Sequence, residues 1–365
     1  MSPERVVIAA GGTGGHVIPA IALAKSLSDL GSDVKLLHDE RVRHIVFHHG
    51  EVNAVELPFG HGFRPHYISR FIKYLMVLIN ALYLMIIFSF KRPDMVIGFG
   101  GYVSAPALLA ARILLIRIAL IEQNSVLGAV NKAFVKRAAI IFTAFEHVEG
   151  LPLSAHKLPI AMIAGQEFYE SKPPILRKTP KGSPIKILVT GGSQGAGSFA
   201  KFIPDALEGV DKALRARLHL NFQVPEQFIK QTEKVLKDLK VKSYDVKSFF
   251  YDMPSLVKES DFVIARGGAS TIAELCAAKK AAILIPFKYS KDGHQYHNIK
   301  RLADVEAAVL LEEGMNLKHD LSYWMRELAV NSEQRLIFAE NAAIFYNPDN
   351  LEKISSVVHS MIRVD

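Results

Sequence analysis

The sequence contains a single cysteine, Cys276, among its 365 residues. One cysteine cannot form an internal disulfide, so the small disulfide-stapled secreted proteins are excluded and a reducing compartment is favoured. The N-terminus also lacks the apolar core and small-residue cleavage site of a secretory signal, because residues 1–12 pass directly from a charged start into an apolar strand and a glycine turn. We therefore expect a protein of the cytoplasmic side of the cell.

Several nucleotide-site motifs are also missing. Neither glycine-rich turn of the chain has a P-loop lysine, which disfavours an NTPase. The dinucleotide pattern G-x-G-x-x-G fails at Val17 in the first turn and at Gln194 in the second, so a nicotinamide oxidoreductase is disfavoured although Asp39 is placed plausibly for one. No D-x-D cation motif occurs, and we expect neither a metal nor a cofactor.

Acidic residues are scarce in one stretch. Residues 64–137 contain ten lysines and arginines but only two acidic residues. The rest of the chain has 34 basic and 34 acidic residues, so the whole net charge of +8 lies in this stretch. The same stretch contains the longest apolar run, residues 74–90, which is shorter than the roughly 20 residues of a membrane span and includes Asn80. Nothing in this distribution points to nucleic acid.

Two interpretations of that apolar run stay open. It is either a helix buried in the core or a helix partly exposed as an apolar patch. Basic residues flank both of its ends, and we favour the patch because anionic lipid headgroups would require such charges. The flanking residues are Arg70, Lys73, Lys91 and Arg92.

Apolar strands alternate with helical patterns twice along the chain, which indicates two doubly wound parallel-sheet domains of the Rossmann-like α/β class. We expect the first domain over residues 1–163, a linker over 164–184 rich in proline and serine, and the second domain over 185–340. The final helix, about 341–365, is expected to pack back on the first domain. Two such domains would face each other across a cleft.

Each predicted domain begins with a strand followed by a glycine-rich turn. The turns read AAGGTGGH at residues 9–16 and VTGGSQGA at 189–196, and RGGASTIAELCAA at 266–278 has the same form. Glycines let backbone N–H groups approach a phosphate, and the following helix N-terminus adds partial positive charge. Close helix–strand packing also selects glycine, so the turns alone leave the ligand open.

Polar side chains follow three of the predicted strands. Glu274 lies near the start of a helix, where it is either a capping partner of Ser270 or Thr271 or a carboxylate for a ribose diol. Residues 122–124 read EQN directly after a buried strand, where doubly wound folds bind ligands. Residues 292–298 read DGHQYHN after another strand and form either a binding loop or an ordinary polar loop.

Six segments in register resemble the MurG family of N-acetylglucosaminyltransferases. They are residues 10–24, 98–106, 122–132, 189–196, 266–275 and 292–298. The resemblance implies an inverting glycosyltransferase of GT-B fold, peripheral on the cytoplasmic face of the bacterial inner membrane. Its reaction would move N-acetylglucosamine from UDP-N-acetylglucosamine to the C4 hydroxyl of the muramoyl sugar in undecaprenyl-pyrophosphoryl-MurNAc-pentapeptide, converting lipid I to lipid II in peptidoglycan synthesis.

The resemblance also implies roles for individual residues. Ser193 and the amides of its turn would hold the diphosphate, Glu274 the ribose and the Phe250 backbone the uracil. Other residues of the second half that would contact the phosphates and sugar are Ala269, Ser270, Thr271, Ile272, Ala273 and Gln295. From the first half, Thr13, Gly14, Gly15 and Asn124 would reach the sugar or acceptor, and Tyr102 and Glu122 are acceptor-side candidates.

His16 is the predicted general base. Transfer requires stabilising the departing diphosphate and deprotonating a hydroxyl, and histidine is the side chain whose ordinary pKa lies near neutrality. His16 lies in the glycine turn of the half that does not bind the donor. The alternative is a structural histidine that donates to a backbone carbonyl at the start of a helix.

The chain departs from the family pattern at two places. Residues 156–168 read HKLPIAMIAGQEF where the family has a G-N-P-x-R block whose arginine approaches the donor phosphates. His294 occupies a position where the family often has glutamine. Two other functions remain as alternatives: a GT-B glycosyltransferase with a different lipid acceptor, and a non-enzymatic nucleotide-binding protein associated with a membrane.

Overall fold

A computed structural model describes residues 3–48, 52–58, 70–170, 178, 180, 182–192, 196–290 and 293–363. The chain forms two compact units. The first consists of Met1–Gln166 and Asn347–Asp365, and the second of Glu167–Tyr346. A short helix, α6 (Gln166–Tyr169), begins at the boundary between them.

The first unit is a parallel sheet with helices on its faces. Its described strands are β1 (Arg5–Ala9), β2 (Asp33–His38), β3 (Ala54–Glu56), β4 (Met95–Gly98), β5 (Arg117–Glu122), β6 (Ile140–Thr143) and β7 (Lys157–Pro159). Its helices are α1 (Gly14–Asp29), α2 (Arg43–His48), α3 (Arg70–Phe90), α4 (Gly101–Ile113), α5 (Ala129–Phe134) and α15 (Asn350–Arg363). The strand order is β3-β2-β1-β4-β5-β6-β7.

The second unit repeats this plan. Its described strands are β8 (Ile185–Thr190), β9 (Leu218–Gln223), β10 (Ser243–Lys247), β11 (Phe262–Ala265), β12 (Ala281–Leu284) and β13 (Val309–Leu310), in the order β10-β9-β8-β11-β12-β13. Its helices are α7 (Phe199–Glu208), α8 (Lys212–Arg215), α9 (Ile229–Asp238), α10 (Met253–Glu259), α11 (Ala269–Ala277), α12 (His294–Ala303), α13 (Leu317–Val330) and α14 (Ser332–Ala342). Two doubly wound parallel sheets are therefore present.

Continuous apolar runs form the central strands because helices cover both faces of each sheet. All four residues of β4 and of β11 are buried. These two strands pair in parallel with β1 and β8, through contacts such as Val6 with Met95 and Ile187 with Phe262. The buried interior of each unit fixes the register, because a one-residue slip would turn every apolar side chain to the opposite face.

Helix α3 is apolar on both of its faces. Ala81, Leu84 and Phe88 are at most 2% exposed, and they recur at helical spacing on the side that packs against α4. The opposite side exposes a stripe that we call the α3 stripe: Leu75, Leu78, Leu82, Ile86 and Phe90. The helix is thus partly exposed rather than fully buried. Within the described part of the chain, no helix is long and apolar enough to cross a membrane.

Exposed cations lie at the C-terminal end of this helix. Lys91 and Arg92 follow Phe90 directly and are both exposed, as is Arg112 near the end of α4. The Arg92 guanidinium donates to the carbonyl of Leu114 at 2.8 Å, which fixes its charge beside the exposed side chain of Leu115. The side chains of Arg70 and Lys73, the other predicted flanking residues, lie outside the described part.

The last helix, α15, packs on α1 of the first unit. The hydroxyls of Ser26 and Ser355 are 3.0 Å apart, and Arg363 Nε donates to Glu4 Oε1 at 2.7 Å. Residues 341–346 belong instead to the second unit, where α14 ends.

Candidate active site

Both sheets reverse their strand order next to a glycine turn. In the first unit β1 lies between β2 and β4, so the chain continues to one side of β1 and later returns to the other. In the second unit β8 lies between β9 and β11 in the same way. Doubly wound folds bind ligands outside the carboxyl ends of the strands at such a switch point. The turns after β1 and β8 therefore lie where ligands of this fold class bind.

The first two glycines of the first turn, Gly11 and Gly12, do not accept a side chain. A Cβ on Gly11 would lie 2.5 Å from Val103 Cγ2, and Gly12 has a positive φ of 86°. Asp39, at the carboxyl end of β2, accepts the N–H of Gly12 through Oδ1 at 3.1 Å. Thr13, exposed, precedes the first helical residue, Gly14.

His16 lies against the second glycine pair of the same unit. Gly100 and Gly101 both have positive φ, and a Cβ on Gly101 would lie 3.4 Å from the His16 imidazole. The ring is half-buried in the first turn of α1, with Gly15 beside it. The structure thus brings together the predicted base and the turn that carries Tyr102.

Tyr102 is the second residue of α4. Burial raises the pKa of its hydroxyl above the ordinary value, and the positive charge of Arg41 lowers that pKa in part. The phenol therefore remains protonated at neutral pH and can donate a hydrogen bond.

Arg41 is a residue that the sequence interpretation missed. Its Nε donates to Asp39 Oδ2 at 2.7 Å, and its Nη2 would lie 3.2 Å from a Cβ on Gly12. The Asp39 carboxylate, which accepts the N–H of Gly12, therefore also holds the Arg41 guanidinium next to the first turn. The signal that could have found it is its place just after β2, the strand beside β1.

Glu122 holds the loop after β5 by accepting four hydrogen bonds. Its side chain is 3% exposed; Oε1 accepts from the backbone and side-chain nitrogens of Asn124, each at 3.0 Å, and Oε2 from Gly128 N and Asn131 Nδ2, each at 2.9 Å. All of these partners lie in the first unit. The geometry gives Glu122 an orienting role toward half-buried Asn124, and its direct contact with an acceptor stays a prediction.

The segment that lacks the family arginine is packed into the first unit. Ile160, Met162, Ile163 and Ala164, which follow β7, are each at most 3% exposed. Ile163 N donates to Gln123 Oε1 at 3.3 Å, and Asn350 Nδ2 donates to the carbonyl of Met162 at 2.8 Å. The segment therefore contributes buried apolar contacts, and it places no arginine at the carboxyl edge.

A buried network positions the turn after β8. Thr190 Oγ1 accepts the N–H of Gly192 at 3.1 Å and donates to Gln223 Oε1 at 2.6 Å, while Gln223 Nε2 donates to the carbonyl of Ser248 at 3.2 Å. The network links the phosphate-type turn to the loop after β10, which contains Phe250. Ser193 lies outside the described residues, so its predicted contact has no structural description.

Helix α11 presents three half-buried polar side chains at its start. These are Ser270, Thr271 and Glu274, whereas Ala269, Ile272 and Ala273 are buried and can contact a ligand there only through the backbone. Thr271 Oγ1 would lie 3.9 Å from a Cβ on Gly192 or on Gly268, so its hydroxyl adjoins both glycine turns.

The Glu274 carboxyl is held in its neutral form. Burial and, to a smaller extent, the nearby carboxylate of Glu167 together raise its pKa to about 8. Near neutral pH the carboxyl group is therefore protonated in the free protein. Two hydrogen bonds donated by a diol would stabilise the carboxylate and so favour loss of this proton.

Aromatic residues follow β10. Phe250 is 6% exposed, and the Lys247 ammonium lies 5.4 Å from its ring centroid. Its flanking residues Phe249 and Tyr251 are exposed and pack edge to face with centroids 5.0 Å apart. The Phe250 side chain is buried, and the contact of its backbone with uracil stays a prediction.

Arg266 connects three parts of the second unit and was also missed from the sequence. It is 5% exposed, and it donates to Ser198 Oγ at 2.6 Å and to the carbonyl of Pro286 at 3.0 Å. Glu313 pairs with it at 2.6 Å. Burial lowers the pKa of its guanidinium, and the hydrogen bond and charge of Glu313 oppose that shift. Arg266 thus fixes the start of α7 relative to the loop after β12.

Gln295 is in the first turn of α12 and reaches back to the same loop. Its Oε1 accepts the N–H of Phe287 at 2.8 Å, and its amide NH₂ supplies two hydrogen-bond donors. His294, the first residue of this helix, is half-buried. Among the residues that the structure describes, no group of three or more His, Cys, Asp or Glu side chains could hold a metal ion.

Comparisons with known proteins agree with this architecture. Residues 6–143 match the glycosyltransferase family 28 N-terminal domain, and residues 186–354 match the family 28 C-terminal domain. The chain is similar over its whole length to the crystal structure of Acinetobacter baumannii MurG, with a TM-score of 0.80, 27% identity and coverage of 98% of this chain and 100% of the other.

Two curated relatives carry the name UDP-N-acetylglucosamine--N-acetylmuramyl-(pentapeptide) pyrophosphoryl-undecaprenol N-acetylglucosamine transferase. The one from Wolbachia sp. subsp. Drosophila simulans (strain wRi) is 32% identical over 90% of this chain and 91% of the relative. The one from Maricaulis maris (strain MCS10) is 32% identical over 99% of both chains. The chain therefore belongs to glycosyltransferase family 28 and, within it, to the MurG family of GT-B enzymes.

Proposed function

We propose that this chain transfers N-acetylglucosamine from UDP-N-acetylglucosamine to the C4 hydroxyl of the muramoyl sugar in undecaprenyl-pyrophosphoryl-MurNAc-pentapeptide. The observation that carries this proposal is the 32% identity to transferases of that name over as much as 99% of the chain. A match of this length covers both halves, so it supports a shared two-substrate reaction rather than a shared nucleotide site alone.

In this proposal the second unit binds the donor. The diphosphate lies at the switch point between β8 and β11, against the amides of the glycine turn and the start of α11. The Glu274 carboxylate accepts hydrogen bonds from the two ribose hydroxyls, and the Phe250 backbone binds the uracil. The Gln295 amide NH₂ donates a hydrogen bond to a sugar hydroxyl. The hydrogen bonds of Thr190 and Arg266 keep these parts in place before the ligand arrives.

The first unit supplies the acceptor side. His16 removes the proton of the C4 hydroxyl as its oxygen attacks the anomeric carbon; the bond from that carbon to the diphosphate oxygen breaks, and UDP leaves with the electron pair. The new bond is β because attack occurs opposite the departing α-linked UDP. Tyr102, protonated at neutral pH, and Asn124, held by Glu122, orient the acceptor.

We further propose that the α3 stripe contacts the cytoplasmic face of the membrane that holds the lipid acceptor. The stripe presents apolar side chains with exposed Lys91, Arg92 and Arg112 beside its C-terminal end. Apolar groups that enter the interface, together with cations that meet anionic headgroups, give peripheral binding without a spanning helix.

The test is acceptor-dependent release of UDP from UDP-N-acetylglucosamine by the purified full chain, with mass spectrometry of the lipid product. We expect release with a lipid I analogue and little release without it. His16→Ala should retain UDP affinity and lose transfer by at least about 100-fold, as loss of a general base does. Unchanged turnover in this variant would remove the base assignment.

Two outcomes would replace the proposed function. Transfer to another lipid but none to lipid I would identify a GT-B enzyme with a different acceptor. UDP binding with no transfer to any acceptor would support the non-enzymatic alternative.

A further inference from the structure

The chain exposes two aromatic side chains directly after a fully buried strand. Every residue from Ala281 to Pro286 is buried, yet Phe287 is 45% exposed and Tyr289 is 78% exposed. Their rings pack edge to face with centroids 5.7 Å apart. Large aromatic surface left to water is costly, and its concentration at the carboxyl edge of a sheet is typical of a ligand contact.

This aromatic pair is held in place by the surrounding residues. The N–H of Phe287 donates to Gln295 Oε1 at 2.8 Å, which ties the loop to α12. The Arg266 guanidinium lies 5.6 Å from the Phe287 ring centroid and donates to the carbonyl of Pro286 just before it. The edge-to-face contact then orients Tyr289 on Phe287. A surface fixed in this way loses little conformational freedom when a ligand binds.

The position of the pair in the sheet indicates which part of the donor it meets. The switch point lies between β8 and β11. Strand β12 is next to β11 on one side of it, and β10 lies two strands beyond β8 on the other side. Strands are about 5 Å apart. A donor with its diphosphate at the switch point and its uracil near β10 therefore directs its sugar toward β12.

The chemistry beside the pair fits a sugar. The Gln295 side chain is oriented by the hydrogen bond from Phe287 N–H to its Oε1, and its NH₂ group offers two N–H donors for hydroxyl oxygens. The aromatic rings offer an apolar face, and a pyranose has both hydroxyl groups at its rim and a face of C–H groups. Such sites combine a few polar groups with an aromatic wall.

We propose that Phe287 and Tyr289 form an aromatic platform against which the pyranose ring of the donor packs. Tyr289 provides the contact face, and Phe287 supports it. These residues thereby contribute to selection of a nucleotide that carries a sugar over the bare nucleotide. The proposal rests on the proposed function, since it assumes that the second unit binds UDP-N-acetylglucosamine.

The test compares Kd values for UDP and for UDP-N-acetylglucosamine, measured by calorimetry on the full chain. Tyr289→Ala should weaken UDP-N-acetylglucosamine binding about threefold to tenfold, as loss of one aromatic contact does, and leave UDP binding within about twofold. Tyr289→Phe should retain most of the affinity because it keeps the ring. The matched control is Tyr323→Ala, which removes an exposed tyrosine from another edge-to-face pair, with Trp324 on α13, and should change neither Kd.

Three results would overturn the platform. Equal weakening of both ligands by Tyr289→Ala would place the residue at the nucleotide, and no change in either would remove it from the site. A change confined to the KM of the lipid acceptor would assign the pair to the other substrate. Failure of the proposed function is distinct, because it would be seen in the wild-type chain, as no transfer to the lipid I analogue or no binding of UDP-N-acetylglucosamine, whereas the platform is tested by how the variants change the two Kd values.

Discussion

Glu122 Oε1 accepts both the backbone N–H and the side-chain amide of Asn124, each at 3.0 Å. One buried oxygen therefore sets both the position and the rotamer of a residue predicted to reach the substrates. Since Oε2 holds Gly128 and Asn131 in addition, the whole loop after β5 depends on a carboxylate at this position.

Glu122→Gln tests this dependence. The new NH₂ group would face N–H donors that require an acceptor, so we expect a loss of about 2 kcal/mol of stability and at least about a tenfold loss of transfer rate. UDP affinity should stay within about twofold, because the proposed contacts with UDP lie in the second unit. Chemical unfolding, turnover and UDP calorimetry measure the three effects. Wild-type turnover in this variant would show that the loop does not orient a substrate.

Ionisation of Glu274 should make stability depend on pH. Its pKa is about 8 in the folded chain against an ordinary value of 4.5, so the unfolded chain loses this proton first as pH rises. The stability associated with the protonated form is complete below about pH 4.5 and is lost progressively up to about pH 8.

Glu274→Gln removes this titration. The variant should gain stability relative to wild type across that pH window, by about 2 to 4 kcal/mol at pH 8, and lose UDP affinity at least about tenfold. Thermal unfolding at a series of pH values, without ligand, measures the first effect. A difference in stability that is constant with pH would contradict the assigned pKa.

Gly267 has no room for a side chain. A Cβ there would lie 2.5 Å from Ile299 Cδ1 and 2.9 Å from the carbonyl oxygen of Gln295. Gly267→Ala should therefore displace α12, cost about 1 to 3 kcal/mol and weaken UDP-N-acetylglucosamine binding through Gln295. The matched control is Gly314→Ala, whose Cβ would have no atom within 4 Å. Equal stability and equal UDP-N-acetylglucosamine affinity in the two variants would show that α12 does not pack closely against Gly267.

The α3 stripe should determine vesicle binding. Leu82 and Ile86 are 51% and 62% exposed, so charge at these positions should leave the fold intact. The double variant Leu82→Glu with Ile86→Glu should lower binding to anionic vesicles at least about tenfold, because two side chains no longer enter the interface.

The control for the stripe is Leu153→Glu, which changes a fully exposed leucine outside α3. It should bind vesicles like wild type in a co-sedimentation assay. If the double variant binds as well as this control, the stripe does not contact lipid.

The long elements were predictable because their patterns are strong. Apolar runs at β1, β4, β5, β8 and β11 that alternate with helical patterns indicated two doubly wound sheets, and the fold has this architecture. The edge strands β3, β7 and β13 have two or three residues each, too few to show a period, and they form because the sheet beside them offers unpaired backbone groups.

Residues of the candidate site that position other residues were harder to predict from the sequence than those in motifs. Motifs indicated His16, Asn124, Glu274 and Gln295 as candidates, and their roles stay predictions. No motif pairs Arg41 with the turn after β1, because that contact depends on the adjacency of β2 and β1. Arg266 was missed for a similar reason, since its partners Ser198 and Pro286 are distant in sequence.

A crystal structure of the full chain with UDP-N-acetylglucosamine bound would test the proposed donor site most directly. We expect the diphosphate at the carboxyl edge between β8 and β11, the ribose hydroxyls on Glu274, the uracil beside the Phe250 backbone and the sugar next to Gln295. Uridine bound instead at the carboxyl edge between β1 and β4 would show that the first unit binds the donor.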